Sequence, residues 1–269
     1  MANSGPVAQP GNLNLPEIHS LGIDDVKRAF KAGVADFIAA PLYGLFFGGI
    51  CAALGVLILV SLTKAGVPWM IIPVAIGFPL VGPFMAVGLY EVSRRRSAGK
   101  PLNWREILLV MFYQRERQFA YIGILVLCIF WMWILAGRIL FALFIGSYHF
   151  AGMAAFAQTM LMTPHGLGFL ALGTAIGAIL AFVLFASTVI TMPMLVDRDI
   201  DIITAMITSF NTVNKSPFAM IAWGIVVAVL LIVALLPAFL GLIVVLPILG
   251  HATWHLYKRA IGPPAAQPA

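Results

Sequence analysis

Charged residues are scarce in this chain: only 10% of its 269 residues are Asp, Glu, Lys or Arg, whereas 62% are hydrophobic. Soluble domains usually have about 25% charged residues, so this composition excludes a soluble enzyme and a disordered protein. The two cysteines, Cys51 and Cys128, are too few for a disulfide scaffold and form no CxxC motif. The remaining class is a polytopic membrane protein with most of its chain in lipid.

Sequence motifs for catalysis and cofactor binding are missing as well. The chain has no Gly-rich phosphate loop, no zinc-type His/Glu motif and no nucleophile elbow. The segments between its apolar runs are too short for a separate catalytic domain. We therefore expect a protein that is not an enzyme, with no catalytic residues, no metal site and no cofactor.

Long apolar runs predict six membrane-spanning helices, because about 20 apolar residues are needed to cross the hydrocarbon layer. The predicted spans are residues 42–62, 69–89, 119–144, 169–195, 217–236 and 239–257. The last two share one apolar stretch, Pro217–Tyr257, which as a single straight helix would be about 60 Å long. We expect this stretch to fold back near Pro237 and Gly241, and one long helix is the alternative.

The distribution of basic residues predicts the orientation. Of the 16 Lys and Arg residues, 14 fall on the side of the predicted spans that also carries both termini. The net charge of +6 is therefore interpreted as the positive-inside effect and not as nucleic-acid binding. We expect both termini in the cytoplasm, with disordered tails at residues 1–20 and 261–269 around a membrane domain at residues 21–260.

An amphipathic stretch precedes each pair of spans, which predicts an all-α fold of three amphipathic-helix-plus-hairpin units. Asn103 fits the N-cap of the second stretch, and Asp199 or Asp201 fits that of the third. These stretches suit helices that lie in the headgroup layer, and helices packed on one another are the alternative. The apolar face of the first stretch consists of Val26, Phe30, Val34, Phe37 and Ile38. The basic residues expected at the membrane surface are Lys27, Arg28, Lys31, Arg94, Arg95, Arg96, Arg105, Lys258 and Arg259.

Small residues recur at helical spacing in two spans and predict close helix packing. Gly44 and Gly48 form a GxxxG motif in the first span, and Gly173, Gly177 and Ala181 form a row in the fourth. We favour packing within one chain over a homodimer contact, and the oligomeric state stays open.

Two histidines and one arginine are the candidate functional polar residues. His251 and His255 are four residues apart and share one face of the sixth span. Imidazole can bind metal or haem or carry protons, but we favour hydrogen bonding within the bundle or to headgroups. Arg138 is the only charge near the membrane interior, and it can either snorkel to the outer interface or form an anion site.

Hydroxyl side chains cluster in the fourth span just before Pro193. Ser187, Thr188 and Thr191 are predicted to bond backbone carbonyls near a proline kink, so they need no substrate to explain them.

Several strings resemble an uncharacterised family of proteobacterial integral membrane proteins, a domain-of-unknown-function family. The strings are Ala40–Gly44, Gly77–Leu80, Gly88–Glu91 and the ending Gly250–Tyr257. The resemblance implies an inner-membrane protein of a Gram-negative bacterium and implies no reaction. Some relatives are automatically labelled cytochrome c oxidase subunit I, but only one span of this chain contains histidine, and an oxidase core needs histidine ligands on several helices.

Three functions are compatible with these features. The first is a non-enzymatic scaffold, regulator or assembly partner, whose partners are the lipid bilayer and another membrane protein. The second is a small transporter or channel that uses the second and sixth spans with His251, His255 and Arg138. Prolines are predicted to kink these two spans: Pro79 and Pro83 in the second and Pro247 in the sixth. The third is a haem or metal protein centred on His251 and His255.

Overall fold

The computed structural model describes residues 16–63, 85–113, 116–146 and 153–262, and its regular elements in these ranges are all α-helices. In chain order they are α1 (Ile23–Ala39), α2 (Pro41–Thr63), α3 (85–97), α4 (Trp104–Tyr113), α5 (Glu116–Phe144), α6 (Met153–Met162), α7 (Pro164–Thr188), α8 (Thr191–Asp197), α9 (Ile202–Lys215), α10 (Pro217–Leu235) and α11 (Leu242–Ala260). The predicted all-α class is therefore confirmed for the described part of the chain.

Four helical segments in the described ranges are long and apolar enough to cross a membrane. They are Pro41–Ser61, Tyr121–Phe144, Pro164–Asp197 and Pro217–Leu235, and each overlaps a predicted span. Of the predicted second span, residues 69–84 lie outside the described residues. The predicted sixth span corresponds to α11, which falls short of the required hydropathy because its second half carries polar and basic side chains. Four of the six predicted spans are therefore present in the described residues, and the count of six stays a prediction.

The apolar stretch after Pro217 folds back on itself, as predicted. Helix α10 ends at Leu235 and α11 begins at Leu242, and Ala238 and Phe239 adopt positive φ angles of 51° and 69° between them. A Cβ on Gly241 would lie 2.6 Å from Cα of Ala234, so only glycine permits this close return of the chain. The alternative of one long helix is wrong.

Helix α11 is the centre of the bundle, and α1 and α2 together run antiparallel along it. Cβ atoms built on Gly33, Gly44 and Gly48 would all lie within about 3.1 Å of α11 atoms. The predicted GxxxG pair therefore packs within the chain. Residue numbers rise along α1 and α2 while those of their partners on α11 fall. The pairs are Asp25 with Arg259, Gly33 with Ala252, Gly44 with Pro247 and Gly48 with Ile243.

The buried face of α1 differs from the apolar face that the sequence suggests. Among the residues predicted to form that face, only Val26 is buried, and Ile38 is 69% exposed. The packed face instead carries Val26, Ala29, Gly33 and Asp36, because small residues let α1 approach the α11 backbone closely.

Two junctions in the chain have nearly the same backbone geometry. Ala40 joins α1 to α2 with φ −137° and ψ 55°, and Ser216 joins α9 to α10 with φ −135° and ψ 56°. Each junction precedes a proline, Pro41 or Pro217, and in each the cap amide donates to the carbonyl four residues earlier. The first and last amphipathic helices thus enter their following helices through the same kind of bend.

The caps expected for the second and third amphipathic stretches are present. The Asn103 side chain accepts a hydrogen bond from the amide of Arg105 (3.0 Å), at the start of α4. Of the two candidates for the third, Asp201 is the cap, and it accepts from the amide of Thr204 (2.9 Å). Trp104 at the start of α4 also stacks on Tyr43 of α2, with ring centroids 4.1 Å apart.

The break between α7 and α8 is held by hydroxyl groups. Within the helix, Ser187, Thr188 and Thr191 donate to carbonyls four residues earlier, as predicted. Across the break, Ser209 of α9 donates to the carbonyl of Ala186 (2.6 Å) and accepts from the amide of Ile190 (3.2 Å). A side chain from another helix thus replaces the backbone bond lost at the kink.

Helices α5 and α7 form a hairpin with much apolar surface. In the predicted small-residue row, a Cβ on Gly173 would lie 3.8 Å from the Leu140 side chain of α5, and one on Gly177 would lie 3.4 Å from that of Trp133. The third residue of the row, Ala181, is exposed. The exposed large side chains of α5 and α7 include Trp131, Met132, Trp133, Leu135, Ile139, Leu143, Ile179 and Phe182.

The two ends of the described chain meet beside α11. Ile18 and Ile261 form an antiparallel bridge, flanked by a hydrogen bond from His19 N to Ala260 O (2.7 Å) and one from Gly262 N to Glu17 O (3.1 Å). Ordered contacts therefore reach into the segments that the sequence assigned to the tails; the remainder of those tails, residues 1–15 and 263–269, lies outside the described residues.

Candidate functional site

A buried carboxylate, that of Asp36, joins three helices at the end of the bundle where the basic residues gather. Its Oδ2 accepts hydrogen bonds from Ser93 Oγ of α3 (2.7 Å) and from His255 Nε2 of α11 (2.8 Å). Its Oδ1 accepts from Arg96 Nε of α3 (2.9 Å). Ser93 in turn contacts His251 Nδ1 at 2.8 Å. We refer to Asp36, Ser93, Arg96, His251 and His255 as the Asp36 network.

Helix periodicity and close packing bring these side chains together. His251 and His255 lie one turn apart on α11, and Ser93 and Arg96 lie one turn apart on α3. A Cβ on Gly250 would lie 2.7 Å from the Leu89 side chain, so α3 sits directly against α11. With α1 held against the same helix, the Asp36 carboxylate reaches both neighbours.

Asp36 stays ionised in this environment. Its side chain is only 9% exposed, and burial by itself would raise its pKa. The hydrogen bonds from His255, Ser93 and Arg96 favour the charged form and outweigh burial, so they lower the pKa to about 2. At neutral pH the network therefore contains a negative charge that three hydrogen-bond donors stabilise.

The hydrogen bonds of Ser93 determine which ring nitrogen of a neutral His251 carries the proton. Ser93 has one hydroxyl proton, which it donates to Asp36, so it must accept from His251 at Nδ1. A neutral imidazole then has a bare lone pair on Nε2. His251 is 0% exposed, and this Nε2 has no hydrogen-bond partner among the described residues.

A second buried carboxylate, that of Glu91, ties α3 to α4. Its side chain is 0% exposed and pairs with Arg94 Nε and Arg95 Nε, each at 2.7 Å. Arg95 also forms an ion pair with Glu106 of α4. Because both arginines are neutralised by these acids, this cluster joins helices and leaves no unbalanced charge.

A third polar cluster lies where α8 meets the end of α11. The Tyr257 hydroxyl donates to Asp197 Oδ2 (2.7 Å) and accepts from Arg198 Nε (3.0 Å), and Lys258 pairs with the same carboxylate (3.1 Å). Arg198 also donates to the carbonyl of Gly262, which fixes the chain after α11.

The structure pairs most of the predicted surface bases with acids. Seven of the nine form ion pairs among the described residues: Lys27 with Asp24, Arg28 with Asp25, Arg94 and Arg95 with Glu91, Arg96 with Asp36, Lys258 with Asp197, and Arg259 with Asp25. The other two, Lys31 and Arg105, are exposed. Contact of these nine residues with lipid headgroups stays a prediction.

The remaining candidate, Arg138, does not join the two histidines. It is exposed near the C-terminal end of α5, and no hydrogen bond or ion pair links it to the Asp36 network in the described ranges. The same ranges hold no group of three or more His, Cys, Asp or Glu side chains arranged to bind a metal ion.

Sequence reasoning found His251 and His255 but missed Asp36 and Ser93. Asp36 precedes the first predicted span, in a segment expected at the membrane surface, where carboxylates are usually solvated. A signal for it was present: Ala29, Gly33, Asp36 and Ala40 recur at spacings of four, three and four residues, which is a face of small residues with one acid in it. No comparable pattern marks Ser93.

Comparison with known proteins shows that part of the chain is similar to one family. Comparison with curated proteins and with solved structures finds no match. A family model does match, and the resemblance that the sequence strings suggested is confirmed to that extent. Residues 71–197 match the model of the family DUF2189, which is described as a predicted integral membrane protein (a domain of unknown function).

Proposed function

We propose that the protein is a non-enzymatic scaffold, regulator or assembly partner in the inner membrane of a bacterium. In this proposal the chain spans the membrane six times, with both termini in the cytoplasm. At one end of the bundle, basic side chains pair with Glu91, Asp36 and Asp197. Because basic residues concentrate on the cytoplasmic side of membrane proteins, this end supports the proposed orientation.

The observation that carries the proposal is how the polar side chains are used. In the Asp36 network, donors from two helices satisfy the carboxylate of a third, and Glu91 and Asp197 are likewise neutralised by neighbouring side chains. Groups that act on a substrate must be available to it, whereas these groups hold helices together. The arrangement favours a rigid bundle over a reaction centre.

The α5–α7 hairpin supplies the surface that a scaffold needs. Trp131 and Trp133 are each 54% exposed on α5, and Leu143 is 73% exposed near its end. Large aromatic side chains are enriched at interfaces between proteins. We propose that this hairpin contacts a membrane-protein partner and that the bundle around α11 holds the hairpin in place.

A small proton-coupled transporter is the alternative, and one observation favours it. Hydrogen bonds connect His255, which is 21% exposed, through Asp36 and Ser93 to the fully buried His251. Such a chain of hydrogen-bonded polar groups resembles a route for protons. A haem or metal protein is the third candidate, and it would use the bare Nε2 of His251 as its ligand.

One set of measurements on the full-length protein separates these functions. After crosslinking in native membranes, a scaffold should co-purify with another membrane protein at fixed stoichiometry. Trp131→Ala/Trp133→Ala should lose this partner, whereas Phe218→Ala, which truncates an aromatic that is 85% exposed on α10, should retain it. The scaffold proposal fails if the protein purifies alone and proton flux into liposomes depends on His251. A Soret band in the visible spectrum would support the haem protein instead.

A further inference from the structure

An apolar groove runs between the amphipathic helix α1 and the candidate membrane span α10. Its volume is about 520 Å³. Val26 and Phe30 of α1 line one side, and Val226, Val229 and Leu230 of α10 line the other. Because α10 is a candidate membrane span, a groove along its side opens where lipid chains lie.

Two lysines give this groove a basic rim. Lys27 and Lys31 belong to its lining, lie one turn apart on α1 and are both exposed. Lys27 pairs with Asp24 at 3.1 Å, but that acid is 76% exposed, so water screens the pair and leaves the lysine able to meet another anion. The lining contains no acid.

The inner wall of the groove includes Trp223, which is 0% exposed. The ring carbons of Trp223 give this inner wall an apolar surface, which suits an acyl chain.

We propose that this groove binds one anionic phospholipid. The phosphate lies at Lys27 and Lys31, and an acyl chain lies along α10 against Val226 and Val229. Charge complementarity selects the anionic headgroup, and the apolar walls select a chain that a water-soluble phosphate ester lacks. The site is separate from the Asp36 network and does not depend on the scaffold role.

Native mass spectrometry of the detergent-purified full-length protein tests the site. Titration with phosphatidylglycerol should give a bound lipid at concentrations where phosphatidylcholine, with its zwitterionic headgroup, leaves the protein free. Lys27→Gln/Lys31→Gln should weaken phosphatidylglycerol binding about fivefold for each lysine removed. The matched control is Lys100→Gln/Arg105→Gln, which removes two exposed charges outside the groove and should bind as the wild type does.

A second pair of variants tests the acyl-chain part. Val229→Trp fills the groove and should abolish the bound lipid, whereas Val233→Trp, at an equally exposed position on α10 outside the groove, should not. The proposal is overturned if phosphatidylcholine binds as tightly as phosphatidylglycerol. It is also overturned if the lysine pair behaves like its control, or if Val229→Trp retains the lipid.

Discussion

Gly33 of α1 approaches Ala252 of α11 so closely that a Cβ on the glycine would lie 2.6 Å from the Ala252 backbone nitrogen. The obstacle is a helix backbone, which cannot rotate away as a side chain would. This contact lies one turn from both Asp36 and His255 in their own helices. The formation of the Asp36 network therefore depends on the glycine.

We expect Gly33→Ala to destabilise the protein by about 1–3 kcal/mol, because the added methyl group forces the two backbones apart. The thermal unfolding midpoint of the detergent-purified protein measures this. Gly137→Ala is the matched control: a Cβ at this helical glycine of α5 meets nothing within 4 Å, so alanine should be neutral or slightly stabilising there. Equal midpoints for the two variants would contradict the close approach.

We expect Asp36→Asn to destabilise the bundle by about 1–3 kcal/mol. The amide keeps the shape of the side chain but removes its charge, so Arg96 loses its counter-charge. At least one of the three donors also meets an amide NH₂ group in place of a carboxylate oxygen. Chemical unfolding in mixed micelles measures the loss. Asp24→Asn, which alters a 76% exposed acid of the same helix, should cost less than about 0.5 kcal/mol. A similar loss of unfolding free energy in both variants would show that the Asp36 network contributes nothing to stability.

The ionisation of Asp36 also predicts a dependence of stability on pH. Its pKa of about 2 in the folded protein lies below the ordinary value of an aspartate, so the folded state binds this proton less readily than the unfolded state. The stabilisation, about 2 kcal/mol, is therefore complete above about pH 4 and is lost as the pH falls through about 2. Unfolding midpoints of wild type and Asp36→Asn should converge over this interval. A constant difference would mean that Asp36 is not the titrating group.

The elements that the sequence predicts well are those governed by local residues. Apolar runs define α2 and α10, Pro237 and Gly241 mark the fold-back, and Asp201 caps α9 because these signals act within a few residues. The Asp36 network could not be predicted in the same way, since its members come from helices far apart in sequence. Periodicity places His251 and His255 on one face, but only the packing of α1 and α3 shows what that face meets.

Ser209→Ala should destabilise the protein by about 1–3 kcal/mol, since it leaves the amide of Ile190 and the carbonyl of Ala186 without the hydroxyl that bonds both at the α7–α8 break. Ser187→Ala is the matched control. Ser187 is also buried, but its hydroxyl bonds only a carbonyl of its own helix, so its loss should cost little. Thermal unfolding compares the two. The proposed role of Ser209 is wrong if both substitutions lower the unfolding midpoint equally.

The topology predicts that the turn after α10 and the end of α3 lie on opposite sides of the membrane. Helix α10 has 19 residues and is therefore about 28 Å long, close to the hydrocarbon thickness, so the exposed Ala238 emerges on the side opposite Pro217. In a Cys128→Ser background, an impermeant maleimide applied from the periplasm should label Ala238→Cys and not Ser97→Cys. Permeabilising the inner membrane should expose both. Labelling of Ser97→Cys from the periplasm would invert the proposed orientation, and labelling of both would reduce the number of crossings between them.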